Sequence, residues 1–131
     1  MLSNAELRQI ARARLKDSEI LFQANRYDGS VYLCGYAVEI ALKARISKTL
    51  RWSGYPATKK EFENMQSFKT HSLEVLLALS GVEGKIKTNF LAEWSAVAAW
   101  DPEARYKPIG SVKRADAKLM IDSAGILLGA L

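Results

Sequence analysis

The side chains able to do chemistry in this chain are few, and four of them fall on one line. Tyr32, Tyr36, Glu39 and Lys43 lie within VYLCGYAVEIALKA (31–44). At 100° per residue of helix they share an arc of about 60°. Every other position of that segment is apolar or small. Glu39 and Lys43 stand at i, i+4 with the acid first, the favourable order for an ion pair. Two readings are open. The pair is a structural salt bridge in the bundle, with the tyrosine hydroxyls satisfied as core polar groups. Alternatively, the stripe lines a polar groove or a subunit contact. Charges are costly to bury unless paired, so their presence in so apolar a segment requires a cause.

A second constellation is WDPEARYKPIGSVKR (100–114). Arg105, Lys107, Lys113 and Arg114 bracket a loop expected to lead into a helix capped at Gly110–Ser111. Free backbone N–H groups at such a terminus, with cations around them, form an anion seat; the alternative is a solvated basic loop. Tyr106 adds an aromatic face that either stacks on a base or packs on the bundle.

The inventory excludes much else. His71 is the single histidine and Cys34 the single cysteine, so no zinc site of the usual kind is available and no metal or cofactor is expected. A Ser-His-Asp arrangement would have to use His71, and no nucleophile elbow presents a serine. Gly-rich phosphate loops are missing. Cys34, inside the apolar segment and without a histidine near it in sequence, reads as a small core residue.

These residues need helices to position them. Ser3 with Glu6 makes a capping box that opens a first helix, whose Arg8, Arg12 and Lys16 follow at i, i+4 on its outer side. NRYDGS (25–30) breaks it, and a second helix is expected from about 28 to 51. Thr58 with Glu61 offers a capping box for a helix of about two turns. Further helices are expected over about 72–79, closed by Gly81, over about 85–100, and from Ser111 onward. Alternating strand patterns and repeats are absent, and glycine and proline are sparse, 8 and 3 in 131 residues. The expectation is an all-α, antiparallel, up-and-down bundle of four long helices plus one or two short ones, forming a single domain over 1–131.

Nineteen Lys and Arg against fourteen Asp and Glu leave a net charge of +5, compatible with phosphate-bearing partners. The polar first segment does not read as a signal peptide. No apolar run reaches the roughly 20 residues of a membrane span. A cytoplasmic protein with no membrane partner is expected.

RYDGSVYLCGYAVEIALKARI (26–46) resembles the signature of the HEPN family of small helical bundles. Its carriers here are Tyr27, Asp28, Tyr32, Tyr36, Glu39 and Lys43. THSLEVLLAL (70–79) resembles the family's His-x-Leu-x-x-Leu-Leu segment through His71, Leu73, Leu76 and Leu77. WDPEARY (100–106) resembles its tryptophan-to-Arg-Tyr loop through Trp100, Arg105 and Tyr106. The resemblance implies a bundle associated with nucleotide-handling and toxin–antitoxin systems, commonly dimeric and sometimes encoded beside or fused to a nucleotidyltransferase. Many such proteins are metal-independent ribonucleases marked by an Arg followed, after four to six residues, by a His. Here Asn64, Met65 and Gln66 stand where that Arg would precede His71, and no His follows Arg105.

The function expected is therefore a non-catalytic, homodimeric domain that binds a nucleotide or RNA phosphate, or a nucleotidyltransferase, through Tyr32, Tyr36, Glu39, Lys43, Arg105 and Tyr106. One alternative is a metal-independent ribonuclease pairing His71 with Arg105. Another is a structural, antitoxin-type partner whose contact surface includes Trp52, Tyr55 and Trp100.

Overall fold

In a computed structural model describing residues 1–131, the capping box at Ser3 forms as expected. The Ser3 hydroxyl accepts the Glu6 N–H, and the Glu6 carboxylate accepts the Ser3 N–H at 2.8 Å. It opens α1 (Asn4–Gln23), with Leu7, Ala11 and Ser18 turned inward and Arg12 and Lys16 outward. The chain reverses through Asn25, which takes the left-handed conformation (φ 63°) that asparagine tolerates better than most residues. It then enters α2 (Tyr27–Thr49). Small side chains at the crossing, among them Ala11, Ser18, Ser30 and Cys34, let α1 and α2 approach closely. The Ser30 hydroxyl donates to the Ser18 carbonyl at 2.8 Å, so the buried hydroxyl has its partner.

Being apolar nearly all round, α2 is covered by other elements along its length. After α2 the chain forms a two-residue antiparallel bridge between β1 (Leu2–Ser3) and β2 (Gly54–Tyr55), then a 3₁₀ turn at Gln66–Phe68. From His71, level with the middle of α2, α3 (Leu73–Leu79) descends to Ser80, whose carbonyl accepts from the Thr49 hydroxyl at 2.6 Å. Gly81 turns the chain with φ 79°, and α4 (Glu83–Asn89) and α5 (Leu91–Val97) climb back to Trp100. A 3₁₀ segment (Pro102–Tyr106) crosses beside the start of α2, and α6 (Arg114–Ala130) descends along α2 and α1. Leu42, Ile46, Leu73, Leu76, Leu77, Ile86, Val97 and Leu127 fill one core between them. No helix is long and apolar enough to cross a membrane.

The all-α bundle is as the sequence predicts, but its pieces differ in three places. The long helix expected over 85–100 is two seven-residue helices broken at Phe90 (φ −134°, ψ 34°), which closes α4 and opens α5. Three long helices and three short ones result. Thr88 and Asn89 are weak helix formers; the break lets Ile86 and Trp94 both face the core. The Thr58/Glu61 contacts form yet start only a turn, because Glu61 is also held by the Met1 ammonium at 3.0 Å and Phe62 and Phe68 are drawn to Tyr55. Ser111 does not cap the last helix; α6 begins at Arg114.

Candidate functional site

The ridge on α2 forms as its spacing predicts, and the tertiary fold divides it into two halves. In the lower half, Glu39 is 3% exposed, with both carboxylate oxygens engaged. Its Oε2 lies 3.2 Å from Lys43 Nζ, and its Oε1 lies 2.8 Å from Nδ1 of His71. Lys43 Nζ in turn sits 5.5 Å from the centre of the Tyr55 ring, a cation–π distance. Tyr55 is held by its own hydroxyl, which donates to the Phe68 carbonyl at 2.6 Å, and burial pushes its phenol pKa upward. The buried carboxylate thus has a cation and a hydrogen-bond partner, the condition under which a buried charge is tolerable.

A carboxylate can only accept, so the bond to His71 places a proton on Nδ1. The ring's other nitrogen, Nε2, is left to act as a base or as a second donor according to the ring's charge. The His71 side chain is 61% exposed. An inward carboxylate orienting an outward imidazole is a positioning device for the histidine.

The upper half is aromatic. Tyr32 and Tyr36 meet edge-on with ring centres 5.3 Å apart; Tyr36 also meets Trp100 at 4.9 Å and His71 at 6.4 Å. Burial, followed by the neighbouring Tyr32 hydroxyl, pushes the Tyr36 phenol up to about 12. Gly35 makes this packing possible: a Cβ there would stand inside the Trp100 indole. Arg105 lies near enough for its charge to act on the Tyr32 and Tyr36 phenols. Its own pKa is raised, first by its contact with Tyr106, over whose ring the guanidinium stacks at 4.6 Å. Arg105 and Tyr106 are both exposed. Rings, an imidazole and a guanidinium therefore share one open shelf; Glu39 lies beneath it.

Two expectations need correction. The anion seat at 110–112 exists, but the protein supplies its anion: the Asp28 carboxylate accepts Gly110 N–H at 2.7 Å and Val112 N–H at 3.0 Å. These bonds hold the Asp28 carboxyl below its ordinary pKa, and the seat is not a free terminus for a ligand. Tyr55 and Trp100 are interior residues at 2% and 9% exposure, and Trp52 packs on Phe68 at 4.9 Å, so these three do not form a contact surface. Cys34, as expected, is a core residue: its thiol contacts the Met120 carbonyl at 3.7 Å, and burial pushes its pKa up to about 12.

The spacing in α2 could not reveal the parts that other segments contribute: the His71 bond to Glu39, the Tyr55 face under Lys43 and the Trp100 wedge on Gly35. The Gly between Cys34 and Tyr36, in a helix otherwise free of helix breakers after Ser30, was the one local signal of a close approach.

Residues 5–59 match the HEPN domain family model. No curated protein and no solved structure matches the chain. Domains of this family often dimerise or pair with nucleotidyltransferases. The matched span holds nearly all of α1, all of α2 and the whole Tyr32–Tyr36–Glu39–Lys43 ridge, and it makes this part of the chain similar to HEPN domains, a family whose general roles are nucleotide- and RNA-related or in toxin–antitoxin systems.

Proposed function

We propose that this chain is a HEPN-type, non-catalytic binding module, a single cytoplasmic domain over 1–131 acting as a homodimer, whose upper shelf takes a nucleotide or RNA phosphate. The observation that carries this reading is the juxtaposition of Tyr32 and Tyr36 with His71 and with Arg105 on one open face. Aromatic rings offer a base a stacking surface, and a guanidinium suits phosphate oxygens. The net charge of +5 favours the same ligands. Lys43 and Glu39 support the shelf from below, and Tyr106 extends it beside Arg105. A nucleotidyltransferase, itself a nucleotide-handling protein, is the partner class that suits such a module.

Calorimetric titration with ATP and with a short single-stranded RNA tests the reading. Heat of binding from one of them, lost in Arg105→Ala, is expected. No heat from either would remove it.

One observation favours a second reading. The Glu39–His71 contact leaves Nε2 of an oriented imidazole facing solvent, the arrangement that a general base for RNA cleavage requires. Metal-free cleavage of RNA that disappears in His71→Ala would promote this reading; intact RNA at high protein concentration would end it.

A further inference from the structure

Outside the shelf, the most unusual surface feature is Ile109, a branched aliphatic side chain that is fully exposed. It sits on a turn rather than a loose loop. The Ser111 N–H donates to the Pro108 carbonyl at 3.2 Å, and Gly110 adopts φ 86°, which is the conformation a type II turn demands two residues after its start. The Ser111 hydroxyl donates to the same Pro108 carbonyl. From behind, the Asp28 carboxylate fixes Gly110 and Val112 through their N–H groups. An apolar side chain held out on a braced support loses little conformational freedom on contact, the property of an interface anchor.

Beside this turn lies a groove of about 190 Å³, ample for the four-carbon side chain of isoleucine. Val31, Ala99, Trp100 and Met120 are among its apolar walls, and Asp101 and Glu103 give it acidic charge. Lys107, one residue before Pro108, lines it too, so anchor and groove adjoin on one face. The turn is flanked by cations, Arg105, Lys107, Lys113 and Arg114. A projecting apolar anchor with basic flanks beside an apolar groove with acidic residues is a self-complementary patch, which a twofold contact requires.

We propose that the homodimer forms through this patch, with Ile109 of each copy seated in the Val31–Trp100–Met120 groove of the other and Lys107 facing Glu103 across the axis. The inference rests on the homodimer reading above and names its interface. Because the groove shares Trp100 with the shelf, each copy's anchor would press on the wall that supports Tyr36.

The test is the oligomeric state of the full chain by sedimentation or light scattering, with circular dichroism confirming the fold. Wild type is expected to be dimeric, and Ile109→Asp, at a site already in solvent, to raise the dimer dissociation constant about 100-fold. Ala99→Trp, which fills the groove from its exposed edge, is expected to do the same. An equimolar mixture of the two variants retains one good anchor and one open groove, and is expected to recover mixed dimers that neither variant forms alone. A wild-type dimer left undiminished by Ile109→Asp overturns this interface while the homodimer stands. A wild-type monomer at all concentrations overturns both.

Discussion

Nδ1 of His71 lies 2.8 Å from Oε1 of Glu39, joining the start of one helix to the middle of another across 32 residues of sequence. Through this bond the carboxylate buried in α2 orients a side chain that is itself largely in solvent. The other carboxylate oxygen holds Lys43. One buried anion thereby ties the α2 axis to the segment that leads into α3.

Removing that anion leaves Lys43, only 18% exposed at its side chain, without its counter-charge. Glu39→Ala is expected to destabilise the fold by about 3 kcal/mol, read as a lower midpoint in urea unfolding. Lys43→Met keeps the stem on Tyr55 and should cost less than Glu39→Ala. A loss below roughly 0.5 kcal/mol for Glu39→Ala, within the ordinary surface range, would show that the pair is not structural.

The Trp100 indole lies in the space that a side chain at position 35 would need. Gly35→Ala is expected to lose roughly 1–3 kcal/mol through overpacking, despite alanine's better helix propensity. Trp100→Phe should recover part of that loss in the double variant. It keeps a ring on Tyr36 and removes an indole N–H that is buried without a partner. Equal losses in single and double variants would count against the wedge.

Asp28 makes the 108–112 turn sensitive to pH. Its folded-state pKa is lowered by the N–H groups of Gly110 and Val112, so the stability it contributes is complete above the ordinary carboxylate value. That contribution is lost as pH falls through the lowered folded value. Asp28→Asn is expected to speed proteolysis after Arg105 and Lys113 at neutral pH and to flatten the acid limb of the stability curve. An unchanged cleavage rate and an unchanged acid limb would contradict this role.

Cys34 should be inert in the native protein. With its thiol pushed up to about 12 by burial, almost no thiolate exists at pH 8. A thiol reagent is expected to label the chain only as it unfolds, with labelling and circular dichroism sharing one midpoint in urea. Rapid labelling of the folded chain would contradict the packing of α2 on α6.

The helical class, the capping box at Ser3, the boundaries of α2 and the alignment of Tyr32, Tyr36, Glu39 and Lys43 were legible in the sequence, because each depends on residues within a few turns of one another. What faces that ridge was not. His71, Tyr55, Trp100 and Arg105 reach it from segments whose return paths are set by tertiary packing. The break at Phe90 was hidden because Ile86, Leu91, Trp94 and Val97 keep apolar character on both sides of it, so the break leaves no gap in the pattern. The basic loop read as an anion seat was chemically apt, yet its anion, Asp28, lies more than 80 residues earlier. Local spacing carries no information about such a partner.

On the proposed reading, a phosphate-bearing ligand binds on the shelf above Glu39. Backbone amide spectra of the full chain, recorded during addition of a short single-stranded RNA and separately of ATP, test it most directly. The resonances of Tyr32, Tyr36, His71, Arg105 and Tyr106 are expected to shift together and saturate with at least one of these ligands, and the shifts to vanish in Arg105→Ala. Shifts confined to other faces of the bundle, or none with either ligand, would contradict it.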